Sequence, residues 1–307
     1  MSKEGQAGKI NPVILWAGIV AGTFLVSWAG ISFFLSIFTD SPGPEVFHPG
    51  SGKVGVVELK GLIVSPEKTI EELTSFRKDK AIKAIVLRID SPGGAVGASQ
   101  EIFSEVRRTD RMKPVIASFG SIAASGGYYA ALGARKIVSS RGTLTGSIGV
   151  IVKFANLTEI FDKLGYRSEV IKSGKLKDIG AANRQMTDEE KKVLQDIIDN
   201  VHEQFVGDVG KSRNLPLEKV RKLADGRIFS GEQALESGLV DQFGNFTDAV
   251  RLAAELGGIK QDSPPLVYPA EKNFSLLKLL VGDNTSSVIN NLHILQPVLS
   301  YEWSIAH

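Results

Sequence analysis

Residues 115–131 constrain this chain more than any other stretch. Positions 115–119, Val-Ile-Ala-Ser-Phe, are close to continuously apolar and read as a buried strand. Gly120 is expected to end it, and Ser121-Ile122-Ala123-Ala124 carry the chain through a small-residue turn. A helix is expected to open at Ser125-Gly126-Gly127-Tyr128-Tyr129. This order of strand, tight turn and helix opening on a serine is how α/β enzymes present a hydroxyl nucleophile. Ala and Gly allow the close packing, and the first helical turn leaves backbone N–H groups free for a developing oxyanion. Alone, the same string would serve equally as a packing turn, so the rest of the chain decides.

The pattern around it alternates strand and helix. Residues 54–59 and 84–90 read as strands, the second apolar along nearly its whole length, as a parallel strand covered on both faces should be. Helical spacing of Ile70, Leu73 and Phe76 marks residues 66–78, and Ile102, Phe103 and Val106 mark 98–108. Further strands are expected at 136–138, after the small-residue turn 143–149, and at 168–171. Short helices are expected at 157–164, 216–223, 231–237 and 246–255. Thr187 with Glu190 three residues on is a capping box opening a helix toward residue 209. The alternation predicts an α/β domain with right-handed crossovers. Beyond Gly257 periodicity fades; residues 276–281 read as a short helix, and the last residues as weakly ordered or in contact with another subunit.

The chain has no cysteine, which removes disulfides, a thiolate nucleophile and Cys-based metal sites. Its formal net charge of +2 over 307 residues gives no reason to expect a nucleic-acid partner. Ser125 therefore heads the candidate nucleophiles, and a serine needs a base. The four histidines lie at 48, 202, 293 and 307, in the linker, within the long helix, in the tail and at the last position, so a Ser-His-Asp triad is not expected. A lysine can serve if burial depresses its pKa from about 10.4. Lys172, Lys175 and Lys177 share one polar loop, and spacing does not choose among them. The turn Asp90-Ser91-Pro92-Gly93-Gly94 would supply the other half of an oxyanion hole, pairing the Gly94 N–H with that of Gly126.

Residues 12–38 carry no charge and are rich in Ile, Val, Leu, Phe and Trp. The run exceeds the roughly 20 residues needed to span a bilayer, and Phe33, Phe34, Leu35, Ile37 and Phe38 fill the end where a cleavable signal would have small residues. An uncleaved anchor over 13–38 is expected. Lys3 and Lys9 place residues 1–12 in the cytoplasm and the bulk of the chain outside. Residues 39–52, rich in Pro, Gly and Ser, read as a linker.

Several strings together resemble the signal peptide peptidase A family in its short, single-repeat form. They are Asp90-Ser91-Pro92-Gly93-Gly94, Ala123-Ala124-Ser125-Gly126-Gly127-Tyr128-Tyr129, Leu144-Thr145-Gly146-Ser147-Ile148-Gly149 and Ser173-Gly174-Lys175-Leu176-Lys177-Asp178-Ile179-Gly180. Ala224-Asp225-Gly226-Arg227-Ile228-Phe229-Ser230-Gly231 and Gly238-Leu239-Val240-Asp241 also fit. The resemblance implies a Clp peptidase/crotonase-like fold over 53–257 and a serine protease without cofactor or metal. In it Ser125 would be the nucleophile, Lys177 the general base, Ser147 the residue orienting that lysine, and Gly94 and Gly126 the oxyanion donors. It further implies a ring- or dome-shaped homo-oligomer at the membrane, acting on residual signal peptides and other apolar peptides; whether the lysine serves its own subunit or a neighbouring one stays open. The tail, 258–307, is where the resemblance guides least. Two rivals share the fold: a crotonase-like acyl-CoA enzyme and a non-catalytic membrane scaffold.

Overall fold

The computed structural model describes residues 52–261 and 263–270 and the backbone of 300–302. The expected anchor, most of the linker and the short helix at 276–281 lie outside these residues. Among the described residues no helix is long and apolar enough to cross a membrane.

The chain builds one eight-stranded sheet. β1 (Lys53–Lys60), α1 (Glu67–Lys78), β2 (Ile82–Ser91), β3 (Gly93–Ala95), α2 (Val96–Asp110) and β4 (Val115–Ala124) come first. α3 (Gly126–Ala131), β5 (Lys136–Ser139), β6 (Leu144–Gly146), α4 (Thr158–Leu164), α5 (Asp188–Arg213) and α6 (Leu217–Leu223) follow. β7 (Ile228–Ser230), α7 (Gly231–Ser237), β8 (Gln242–Phe243), α8 (Phe246–Leu256) and β9 (Leu266–Val267) complete the domain, and β10 (Ser300–Glu302) stands apart. The main path runs β7-β6-β4-β2-β1-β9, with β5 between β4 and β8. Every pairing in this sheet is parallel except β6 with β7. The expected α/β architecture with a mostly parallel sheet and flanking helices is what the chain forms.

The apolar runs are explained by a sheet buried on both faces. Along β2, Ile85, Leu87 and Ile89 join one cluster with Leu73, Ile102, Phe103 and Tyr128 from the helices. The alternate residues Ala84 and Val86 join a second cluster with Ala249 and Ala253 of α8. Side chains of a strand alternate faces, so only a two-sided core makes every position apolar.

β4 does not stop at Gly120; it continues to Ala124 and changes partner on the way. Residues 116–118 pair with β5, whereas 122–124 pair with β6. Asp90 explains why the break was expected and did not occur. A Cβ on Gly120 would stand 2.8 Å from the Asp90 carboxylate, so only glycine fits, and that carboxylate accepts from the Ile122 N–H at 3.1 Å. The fork in strand order lies near the carboxyl ends of the strands, where open α/β sheets place their ligand crevices.

Two further expectations are corrected. The small-residue turn expected at 143–149 instead holds the strand β6 (Leu144–Gly146), and the strand expected after it does not form. Residues 168–171 form no strand, because no neighbour in the chain pairs with them. Instead Ile160, Leu164, Tyr166 and Val170 of this region are exposed, and Ile171 fully so.

Candidate active site

Ser125 sits where β4 ends and α3 begins. Its backbone is held at φ 53° and ψ −115°, a region a serine rarely occupies. Among the described residues only three non-glycines have positive φ, and two of them are Ser125 and Ser147. Such strain persists only where surroundings enforce it, and it gathers at active sites. Here the Ser125 N–H donates to the Gly146 carbonyl at 2.8 Å, and the Ser147 N–H donates to the Arg227 carbonyl at 2.9 Å. The nucleophile candidate and Ser147 are thus pinned to neighbouring points of one loop, which β7 supports by pairing Ile228 with Gly146. Gly146 itself has φ 80°, and a Cβ there would meet the Phe229 ring at 2.4 Å.

Aromatic packing fixes the helix behind Ser125. The Tyr129 ring meets Phe103 edge-on at 5.3 Å between centroids and Phe205 at 4.7 Å. The Tyr128 hydroxyl, its ionisation pushed up by burial, donates to the Leu239 carbonyl at 2.8 Å.

Gly94 and Gly126 come together as expected. The Gly94 nitrogen is 3.1 Å from where a Cβ on Gly126 would stand. The Ser91 hydroxyl accepts from the Gly93 N–H at 3.1 Å, and the Ser99 hydroxyl donates to the Ala95 carbonyl at 3.0 Å. On the other side, Ile63 holds β3 through Ile63 N–H to Gly93 carbonyl at 2.8 Å and Ala95 N–H to Ile63 carbonyl at 2.7 Å. Sequence reasoning missed Ser91 and Ser99 as supports, since nothing local tells a buried serine from a turn residue.

The Ser125 Oγ is buried and has no hydrogen-bond partner among the described residues. Neither His202, which lies on α5, nor any of the three candidate lysines reaches it within one chain. Those lysines are nonetheless distinguished by their surroundings. Lys172 is ion-paired with Asp178, and Lys175 with Glu189 at 2.6 Å. Lys177 is exposed and has no ion pair among the described residues.

The loop carrying Lys177 is anchored by Arg184. Its guanidinium donates to the Asp178 carboxylate at 3.2 Å and carbonyl at 3.1 Å, and to the buried Glu190 at 2.8 Å. Glu190 also caps α5 by accepting from the Thr187 N–H at 2.8 Å, the capping box read from the sequence. Its second task toward Arg184 was not legible there. Hydrogen bonds from Arg184, then Lys172, hold the Asp178 carboxyl down to about 2, and Arg184 with Thr187 does the same for Glu190. Lowered carboxylate pKa values stabilise the fold above the usual 3.8 and 4.5, and that contribution is lost as pH falls toward about 2. Pepsin cleavage within residues 172–190 is therefore expected to rise steeply between about pH 4 and about pH 2. Cleavage there that stays flat across this window would show that the network does not hold the loop.

The model of peptidase family S49 matches residues 107–260. A Synechocystis sp. protein, slr0021, named as a protease by inference, is 40% identical over 256 residues, covering 83% of this chain and 92% of its own. An Enterococcus faecium protein named, also by inference, signal peptide peptidase SppA is 41% identical over 182 residues, 59% of this chain and 53% of its own. The chloroplastic serine protease SPPA of Arabidopsis thaliana is 34% identical over 236 residues, 76% of this chain but 35% of its own. With a buried, strained serine at the fork of a parallel sheet and these relatives, the chain belongs to peptidase family S49 and is a serine protease of the signal peptide peptidase A kind.

Proposed function

We propose that the chain hydrolyses apolar peptides, residual signal peptides among them, with Ser125 as nucleophile and Lys177 of a second copy as general base. The observation that carries this reading is the Ser125 Oγ: buried, on a strained backbone, without a partner, beside the paired glycines 94 and 126. A nucleophile left unpartnered in one chain calls for a base from outside it. Lys177 is the one lysine of its loop without an ion pair among the described residues, and it follows in sequence a stretch in which Ile160, Leu164, Tyr166, Val170 and Ile171 are exposed. A second copy covering that stretch would take the amine out of water, the condition in which an amine serves as a base.

The chemistry then runs as acyl transfer. Neutral Lys177 takes the Ser125 proton, and Oγ attacks the peptide carbonyl. The Gly94 and Gly126 N–H groups stabilise the oxyanion, an effect of about 3–4 kcal/mol per donor. Lys177 returns the proton to the leaving amine, the C–N bond breaks, and water activated by the same lysine releases the acid. Ser147 orients the amine. Residues 13–38 anchor the assembly, with the domain from residue 53 on the extracytoplasmic face, where apolar leftovers of secretion emerge.

The reading is tested by incubating the detergent-solubilised chain with an apolar fluorogenic peptide, with and without a fluorophosphonate serine probe. Cleavage that the probe blocks by labelling Ser125 supports it; cleavage with Ser125 unlabelled counts against it. Gly94→Ala gives a second check. The new Cβ would stand 2.1 Å from the Ile63 carbonyl oxygen, at a φ of 157°. Hydrolysis is expected to fall by about 10²-fold or more. Thermal unfolding should show a loss of roughly 1–3 kcal/mol, the cost of overpacking. Unchanged turnover would place the oxyanion hole elsewhere.

A further inference from the structure

From Gly149 to Gln204 a single residue, Glu190, is buried. These residues form an arm that leaves the domain after the buried Ile148 and returns to it at the buried Phe205. The contacts that shape the arm lie within it. The Leu157 N–H donates to the Ala182 carbonyl at 2.8 Å, the Phe154 ring fills the space a Cβ on Gly180 would need, and Arg184 ties Asp178 to Glu190. Lys177 is therefore carried on a unit that its own domain does not embed.

α5 is the beam of this arm. Between Glu190 and Phe205 it holds neither Gly nor Pro, so the usual causes of a kink are absent there. That part is about 22 Å long at helical rise. Its exposed side chains pair along the helix: Lys192 with Asp196 at 3.2 Å, Gln195 Nε2 donating to Asp199 at 2.7 Å, and Gln204 Nε2 donating to Asn200 at 2.9 Å. Pairs four residues apart support a helix that tertiary packing does not.

The beam is rooted behind the serine. Phe205, Val206 and Val209 enter the core cluster that holds Phe103 and Tyr129. The Tyr129 ring lies 4.7 Å from that of Phe205, and the Tyr129 hydroxyl donates to the Asp208 carboxylate. Tyr129 belongs to α3, the helix that Ser125 opens. The contact that steadies the serine helix thus also fixes the direction in which α5 leaves the domain. A tilt of about 3° at the root displaces the far end by about 1 Å over this length. Misplacing a catalytic group by about 1 Å costs on the order of 10²-fold in rate.

We propose that Asp208, through its grip on Tyr129, is a positioning residue for Lys177 at the far end of α5, a role that rests on the two-copy reading above. One helix then sets both the serine that a chain keeps and the lysine that it extends to the second copy. Asp208 touches neither substrate nor reacting atoms; it acts through the placement of the arm.

Mixed assemblies separate this role from local support of the serine. A Ser125→Ala chain contributes only its lysine, and a Lys177→Ala chain only its serine. Asp208→Ala is added to the lysine-giving chain, so the helix behind the working serine keeps its native contacts. Relative to the same mixture without it, kcat for an apolar fluorogenic peptide should fall about ten-fold or more at unchanged KM. Asp208→Asn, which keeps an acceptor for the Tyr129 hydroxyl, should stay within about three-fold. An unchanged kcat with Asp208→Ala overturns the proposal, as does a loss confined to mixtures in which Asp208→Ala sits in the serine-giving chain. A distance measurement stands beside the kinetics. The chain has no cysteine, so Lys175→Cys and Met112→Cys, both exposed positions, take spin labels at these sites alone. With labelled chains diluted in unlabelled ones, Asp208→Ala should broaden the distribution of distances between the labels. If the mixture without Asp208→Ala exchanges subunits yet stays inactive, the two-copy reading falls. The label distances then decide by themselves: an unchanged distribution overturns the placement of the lysine loop by Asp208, and a broadened one upholds it.

Discussion

Ser125→Ala should abolish peptide hydrolysis, lowering kcat/KM by about 10⁴-fold or more, while the protein stays as stable or becomes more so. The loss follows from removing the atom that forms the acyl-enzyme. The stability follows from the burial of that atom. A buried hydroxyl without a partner costs roughly 1–3 kcal/mol of desolvation, and alanine removes it. The strained backbone at φ 53° is common to both proteins and so leaves this difference unchanged. A rise of a few degrees in Tm, about 2–4 °C per kcal/mol for a domain of this size, is the expected upper end. Hydrolysis measured with a fluorogenic apolar peptide and unfolding measured by calorimetry check the two halves together. Retained hydrolysis would move the nucleophile elsewhere. A clear fall in Tm would mean that the hydroxyl is structural.

Lys177→Ala should be nearly as damaging to activity, by about 10³-fold or more, and silent in Tm because the side chain is exposed. Lys177→Arg should not rescue it, since a guanidinium keeps its proton and cannot act as base. Lys175→Ala separates this from a general effect of loop charge. It removes an exposed ion pair with Glu189, worth well under about 1 kcal/mol, and should leave turnover within a few-fold of native. Lys172→Ala is a poorer control, because Lys172 helps hold Asp178 in the anchor of the loop. Comparison of kcat and KM for the three variants identifies the base. A Lys177→Ala protein turning over at the native rate would exclude it.

The sheet was largely legible in the sequence because parallel strands buried on both faces leave an apolar signature, and β2 carries it over nearly its whole length. Caps were legible because they are local: Thr187 and Glu190 satisfy each other within one turn. What could not be read depends on residues distant in the chain. Gly120 looks like a stop until the Asp90 carboxylate, thirty positions earlier, is seen to require a glycine there. Residues 168–171 have the composition of a strand without a neighbour to pair with, and composition cannot report a missing neighbour. What sets the three lysines apart is equally distant in the chain or unseen in it: Lys172 is held by Asp178 and Lys175 by Glu189, whereas Lys177 has no ion pair among the described residues. The loops around Ser125 were legible as motifs, yet the reason for them was not: Gly94 is required by the Ile63 carbonyl and Gly126 by the Ser99 hydroxyl.

The account centres on one catalytic site assembled from two copies, serine from one and lysine from the other. Mixing Ser125→Ala chains with Lys177→Ala chains under conditions that let subunits exchange tests it most directly. Each protein alone should be inactive. In an equal mixture, random pairing puts an intact Ser125 beside an intact Lys177 at roughly one site in four, so about a quarter of native activity should return. A mixture that exchanges subunits yet stays as inactive as its components would contradict the account.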